Sequence, residues 1–407
     1  MKGFSIMENL RELPRGAPEL LIALATPAPK GFWGIPVLLW GRPGSGKSSF
    51  VESLSREGFP VFTLIASLHD PTDFGGFPAV EGKRMRFLPP QWVEVFEKPQ
   101  QGILFLDEIT TAPPAVQAAL LRLVLERRVG AYALPPAVRV VAAANPPDTT
   151  SIAWELSPPL ANRFVHLSWE MPADLYVKAL QEGFHAPDFL KVDLTEHERR
   201  KPFWQGVLSG FLRRAPQHLY TSAAPSEYAY ATPRSWDFAV ALMTTCDLFQ
   251  MAPGPNRTPT AEAKDIFFRL IAGAVGSAAA TAFMEFVKNL RLPDPEAVLD
   301  GRTSFPENLR EDELWVLFSA MARLLQNTPA ETQTLPARLS NFLNAAVKIT
   351  RRGRGDTILP PLRHLIQSGW LSQHAQPEHS TLLNELGRYY EPLLQLGQKI
   401  DDIEDFF

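Results

Sequence analysis

From Ile35 to Phe50 the chain reads IPVLLWGRPGSGKSSF: an apolar run, a turn punctuated by glycines, then residues suited to opening a helix. The turn, Gly41-Arg42-Pro43-Gly44-Ser45-Gly46-Lys47-Ser48-Ser49, fits GxxxxGK[ST] in the strand–loop–helix setting that gives the pattern its meaning. Its glycines let backbone N–H groups close around a phosphate, and the helix start adds its dipole. In that arrangement Lys47 reaches the β- and γ-phosphates of a nucleotide such as ATP, and the Ser48 hydroxyl ligates Mg²⁺. The bland reading is a glycine-rich turn with no ligand, and the preceding strand and complete spacing weigh against it.

Two more apolar runs end in polar residues. GILFLDEI finishes at Asp107 and Glu108. A buried strand closing on two adjacent carboxylates is costly unless they meet a cation or water. Asp107 is a candidate for the Mg²⁺ shell, and Glu108 for polarising a water that attacks the γ-phosphate. Taken alone, the pair reads equally well as the acidic cap of the helix that follows. VRVVAAANP ends in Asn145 before Pro146. Parallel strands present their C-terminal ends to a ligand, which puts Asn145 near the same phosphate. Its alternative role is an Asx-turn before proline.

Bulk composition excludes several classes. The 407 residues are 45% hydrophobic and 21% charged with a net charge of −4, an ordinary globular balance with no general electrostatic pull on nucleic acid. One cysteine, Cys246, rules out an internal disulfide framework and fits a reducing, cytoplasmic setting. The eight histidines form no HExxH or Cys/His cluster, so a structural zinc is not expected. Charges interrupt the N-terminal region where a signal peptide would be apolar. The uncharged run Leu270–Met284 is only 15 residues, roughly 22 Å as a helix against a ~30 Å bilayer core. It reads as a packed core helix.

Five strands are expected at Val37–Trp40, Val61–Ile65, Ile103–Leu106, Val138–Ala144 and Arg163–Trp169, alternating with helices. That alternation predicts a parallel α/β sandwich over residues 1 to about 170. Helices then take over, including one opening at SWDFAVALM with a serine cap. Near the C-terminus Leu382, Leu386, Tyr389 and Leu393 recur at helical spacing and read as a docking face on the chain's own core. Phe406 and Phe407 on an acidic end suggest a binding tail.

The order of the glycine loop, the Asp-Glu strand end, the Asn-ended strand and the arginine of LANRF resembles the AAA+ ATPases. Further features are similar to the MoxR-like, dynein-related branch. LHDPTDFGGFPAVEGKRMRFLPPQWVEVF looks like that branch's insertion, with a hairpin turning near Glu81-Gly82. LERRVGAYALPPAVRVVAAANP looks like its second hairpin, and ATPRSWDFAVALM like the second sensor motif. The resemblance implies a P-loop NTPase core over 1–170 with inserted hairpins near 68–96 and 126–140. It implies a helical lid with an insertion over 171–300, ahead of a C-terminal helical extension over 301–407.

Residue by residue, the resemblance makes Asn145 sensor 1, Arg234 sensor 2 and Arg163 an arginine finger serving a neighbouring subunit. The alternative for Arg163 is a surface ion pair worth little. The implied protein is an ATP- and Mg²⁺-dependent homo-oligomer, a hexameric ring that remodels a protein client, with a von Willebrand factor A-domain protein as partner. Two alternatives are a nucleotide-switched assembly scaffold with little turnover and a nucleic-acid-associated motor. The intact Glu108 favours an active enzyme over a scaffold, which has no need of a catalytic carboxylate.

Overall fold

The computed structural model describes residues 10, 12–146, 149, 154–222, 228–253, 258–306 and 308–391. They fall into two compact units. The first takes in the described residues of Met1–Leu194, Gln217–Ala252 and Pro259–Met284; the second takes in those of Thr195–Pro216, Pro253–Thr258 and Glu285–Phe407.

The first unit is built on a five-stranded parallel sheet. Its strands are β1 (Val37–Trp40), β2 (Val61–Ile65), β5 (Gln101–Asp107), β8 (Ala137–Ala144) and β9 (Val165–Ser168), in the order β2-β5-β8-β1-β9. The central strands are almost wholly buried. That is why they read as continuous apolar runs rather than alternating ones. The register fixes which strand ends lie level: β1 pairs with β8 from Val37↔Val141 to Trp40↔Ala144, and with β9 from Val37↔Val165 to Trp40↔Ser168. The expected strands are all present: β1 and β2 have the expected bounds, and the other three differ from them by at most two residues at an end.

Two antiparallel hairpins stand apart from the sheet. The first pairs β3 (Phe77–Glu81) with β4 (Arg84–Leu88) and turns at Gly82; the second pairs β6 (Arg128–Val129) with β7 (Tyr132–Ala133). Phe77, Val80 and Met85 on the first are exposed.

The helix Ala17–Ala25 is buried along its whole length and packs on the helices Pro233–Leu248 and Ala261–Val275. Two expectations from the sequence change here. The run Leu270–Met284 is not one helix: Gly276, at φ 86°, ends Ala261–Val275, and a second helix, Ser277–Lys288, begins at once. Glycine takes the left-handed turn without the Cβ clash that stops other residues. The cap of Pro233–Leu248 is Thr232, whose hydroxyl accepts from Ser235 N, so the serine of SWDF is the third helical residue rather than the cap. Pro233 suits a first-turn position because it has no N–H to leave unsatisfied.

The second unit is helical in its described residues, as expected of the C-terminal region. Its core joins Glu311–Asn327, Leu335–Arg351 and Gly355–Gln367, with Phe318 packed edge-on against Phe342 at 5.5 Å. A third expectation, the C-terminal stripe, also changes. The helix stops at Gly387 and seats Leu383 and Leu386 on Leu335–Arg351, while Tyr389 is exposed. Leu393, Phe406 and Phe407 lie outside the described residues. No described helix is long and apolar enough to cross a membrane.

Candidate nucleotide site

The loop Gly41–Gly46 leaves the C-terminal end of β1 and delivers Lys47 to the first position of the helix Lys47–Ser53. Gly44 and Gly46 sit at φ 73° and 84°. A side chain at either would be strained, so the tight turn needs glycine there. Gly41 N donates to Ala144 O, tying the loop's root to β8. The Trp169 indole donates to Ser45 O at 3.0 Å and packs on Phe50, holding the loop from the β9 side.

Lys47 is 7% exposed and its ammonium donates to Gly41 O at 2.6 Å, Arg42 O at 3.1 Å and Asn145 Oδ1 at 3.0 Å. Burial pulls its pKa down, opposed by the nearby carboxylates of Asp107 and Glu108. Ser48 donates to Asp107 Oδ2 at 2.6 Å. The glycine loop, the lysine, the Ser48–Asp107 pair and Asn145 therefore converge at the C-terminal ends of β1, β5 and β8. Glu108 lies beside them, exposed, in the left-handed region at φ 54°. Its backbone N–H bonds Asp107 Oδ1 and its Oε2 accepts from Ser67 at 3.3 Å. A non-glycine residue pays roughly 1–3 kcal/mol for such a conformation and keeps it only where the surroundings enforce it.

The donor set fits a magnesium nucleotide. Ser45 Oγ is buried within the loop with no hydrogen-bond partner among the described residues. No group of three or more His, Cys, Asp or Glu among the described residues forms a metal cage. A Mg²⁺ ion would be held by Ser48 and Asp107.

Arg163 and Arg234 lie elsewhere. Arg163 precedes β9 and is two residues before Val165, which is level with Val37 at the start of β1. The four residues from there to Gly41 span ~13 Å, so Arg163 sits at the end of the sheet opposite Lys47. Its guanidinium donates to Pro159 O. Asn162 gathers the neighbours: its Oδ1 accepts from Thr232 at 2.9 Å and Arg234 at 3.4 Å, and its Nδ2 donates to Tyr230 O. Arg234 is thereby fixed beside Arg163. Burial and that like charge lower the Arg163 pKa, partly offset by Tyr230. Neither arginine has an ion-pair partner among the described residues.

Residues 36–164 match the family model of the AAA domain, dynein-related subfamily. The chain carries an AAA domain of that subfamily. An AAA domain is a nucleotide-binding module, and its matched span holds the glycine loop, Asp107, Glu108, Asn145 and Arg163; Arg234 lies beyond it. No curated protein matches the sequence. A crystal structure from Cytophaga hutchinsonii, of a protein named provisionally as an ATPase, is 14% identical over 71% of this chain and 94% of that one, with a TM-score of 0.40.

Sequence reasoning missed several residues around the AAA site. Ser67 lies just past the C-terminal end of β2, where the strand-end rule points. Asn162 precedes and Trp169 closes the strand expected over Arg163–Trp169, but their partners are far away in sequence and nothing local signals the contacts.

Proposed function

We propose that the protein hydrolyses ATP at the loop Gly41–Ser48, as a ring-forming AAA machine that remodels a protein client. Lys47 exchanges its contacts with Gly41 O and Arg42 O for phosphate oxygens, charge-assisted bonds stronger than those to neutral carbonyls. Mg²⁺ held by Ser48 and Asp107 would neutralise charge on the phosphates. Glu108 accepts the proton of the attacking water, and Asn145 orients that water from the end of β8.

The observation that carries the ring is the separation of Arg163 and Arg234 from Lys47. The two arginines lie together, without an ion-pair partner among the described residues, at the end of the sheet far from their own glycine loop. A head-to-tail interface brings that end of one subunit to the phosphate site of the next. There the two guanidiniums stabilise developing charge, an effect worth ~10³–10⁵ in rate. The test is specific activity against protein concentration. A composite site predicts turnover per subunit that rises as subunits assemble, whereas constant turnover from a monomer would refute the reading.

A further inference from the structure

The end of the sheet near Arg163 holds a charge without a counterpart. Arg127 caps the helix Pro114–Glu126 in the left-handed region and its side chain is 2% exposed. Its Nη2 makes one long contact, 3.5 Å to Gly34 O, and its Nη1 is buried with no hydrogen-bond partner among the described residues. The guanidinium stands over the Phe32 ring, and no carboxylate among the described residues pairs with it. Burial, reinforced by the like charge of Arg139, pushes its pKa down to about 9, so it stays a cation at neutral pH. Buried polar N–H groups are nearly always satisfied, and an unpaired buried cation is costly. Something outside the described residues is expected to accept from it.

Arg127 lines a cavity of about 610 Å³ whose wall also carries Lys30, Asn162, Arg163 and Arg234. Arg163 Nε too is buried without a partner. Four cations face one acid, Asp237, in this wall. Three guanidiniums offer forked donor pairs from different elements, a match for a tetrahedral oxyanion with several acceptor oxygens rather than for a planar carboxylate.

We propose that this cavity is an oxyanion site for a phosphate group, with buried Arg127 innermost and Arg163 and Arg234 toward solvent. The phosphate has two chemical sources: the terminal phosphate of ATP on a neighbouring subunit, or a separate small phosphorylated ligand. Only the first source rests on the composite-site reading.

The test uses the full chain with Lys47→Ala, so that the glycine loop does not dominate the response. Melting temperature is followed against inorganic phosphate at constant ionic strength, with and without Arg127→Met. Without phosphate, Arg127→Met should be as stable as its parent or more so, because an apolar side chain replaces an uncompensated buried charge. Phosphate should stabilise Lys47→Ala, and Arg127→Met should weaken that response at least tenfold in phosphate concentration. Arg127→Lys, which keeps a charge but loses the fork, should fall between them and serves if the methionine variant does not fold. A phosphate response that is absent in the parent, or equal in all variants, overturns the proposal.

A second arm assigns the source. Return of ATPase activity on mixing Arg127→Met with Glu108→Gln subunits identifies the neighbour's nucleotide. ATPase activity kept by Arg127→Met alone, with the phosphate response lost, identifies a separate ligand. Failure of wild-type protein to bind ATP would remove the composite-site reading while leaving the phosphate result intact.

Discussion

Lys47 Nζ donates to Asn145 Oδ1 at 3.0 Å, joining the helix after β1 to the end of β8. The two residues are 98 positions apart in sequence, and the bond brings the ammonium after the glycine loop and the amide at the end of β8 to one point. Lys47→Ala removes that cation from the loop. Affinity for Mg-ATP should fall at least tenfold, about 1.4 kcal/mol. Calorimetry on the folded variant checks this, and unchanged affinity would remove the loop from nucleotide binding.

Ser48 and Asp107 touch at 2.6 Å. If they share an ion, Asp107→Asn weakens its hold by removing a negative charge while keeping the shape. The Mg²⁺ concentration needed for half-maximal turnover should rise by about tenfold or more, and a chelator should abolish turnover reversibly. A Mg²⁺ titration of ATPase activity that superimposes on wild type would exclude Asp107 from the metal shell.

Glu108 reaches solvent beside the pair and bonds Ser67. Glu108→Gln keeps the side-chain shape but loses the base. Turnover should drop by ~10²–10⁴ while ATP still binds. Phosphate-release kinetics paired with a binding isotherm separate the two effects; wild-type turnover in the variant would mean another base acts.

His166 links the site's strand to β9. Its Nδ1 accepts from the Trp40 indole at 3.0 Å and its Nε2 faces Ala161 O at 3.0 Å, so the neutral ring satisfies both. Burial pushes its pKa down to about 4, opposed by the Ala161 carbonyl. The unfolded chain binds a proton near pH 6.5, and the folded chain does so only near 4. Stability should therefore be lost as pH falls from about 6.5 to about 4, by at most roughly 3 kcal/mol. Denaturant melts of wild type and His166→Gln across that window should diverge in slope, and parallel curves would contradict the assignment.

The central strands were legible because they are buried almost throughout and so read as short apolar runs between turn residues, as in VLLW and VRVVAAA. The phosphate loop was legible for a different reason: its chemistry is local, set by the consecutive residues Gly41 to Gly46 before Lys47. What the sequence hid is long-range or conformational. Gly276 splits an unbroken apolar run by a backbone angle, not by polarity. The company of Arg163 depends on Asn162 meeting Thr232 and Arg234 some seventy residues on. Arg127 ends an ordinary helix pattern, and only the packed structure reveals that its charge is buried and unmatched.

The central claim is that Arg163 serves a phosphate held by another subunit, and mixing mutants tests it most directly. Arg163→Ala subunits retain Glu108 but offer a neighbour no finger. Glu108→Gln subunits cannot activate water but still present Arg163. Each alone should be nearly inactive. Mixed before assembly at several ratios, with co-assembly verified by mass, some interfaces pair an intact Glu108 with an intact Arg163, and ATPase activity should return. If Arg163 acts within its own chain, neither polypeptide holds a complete site, and activity would stay flat at every ratio.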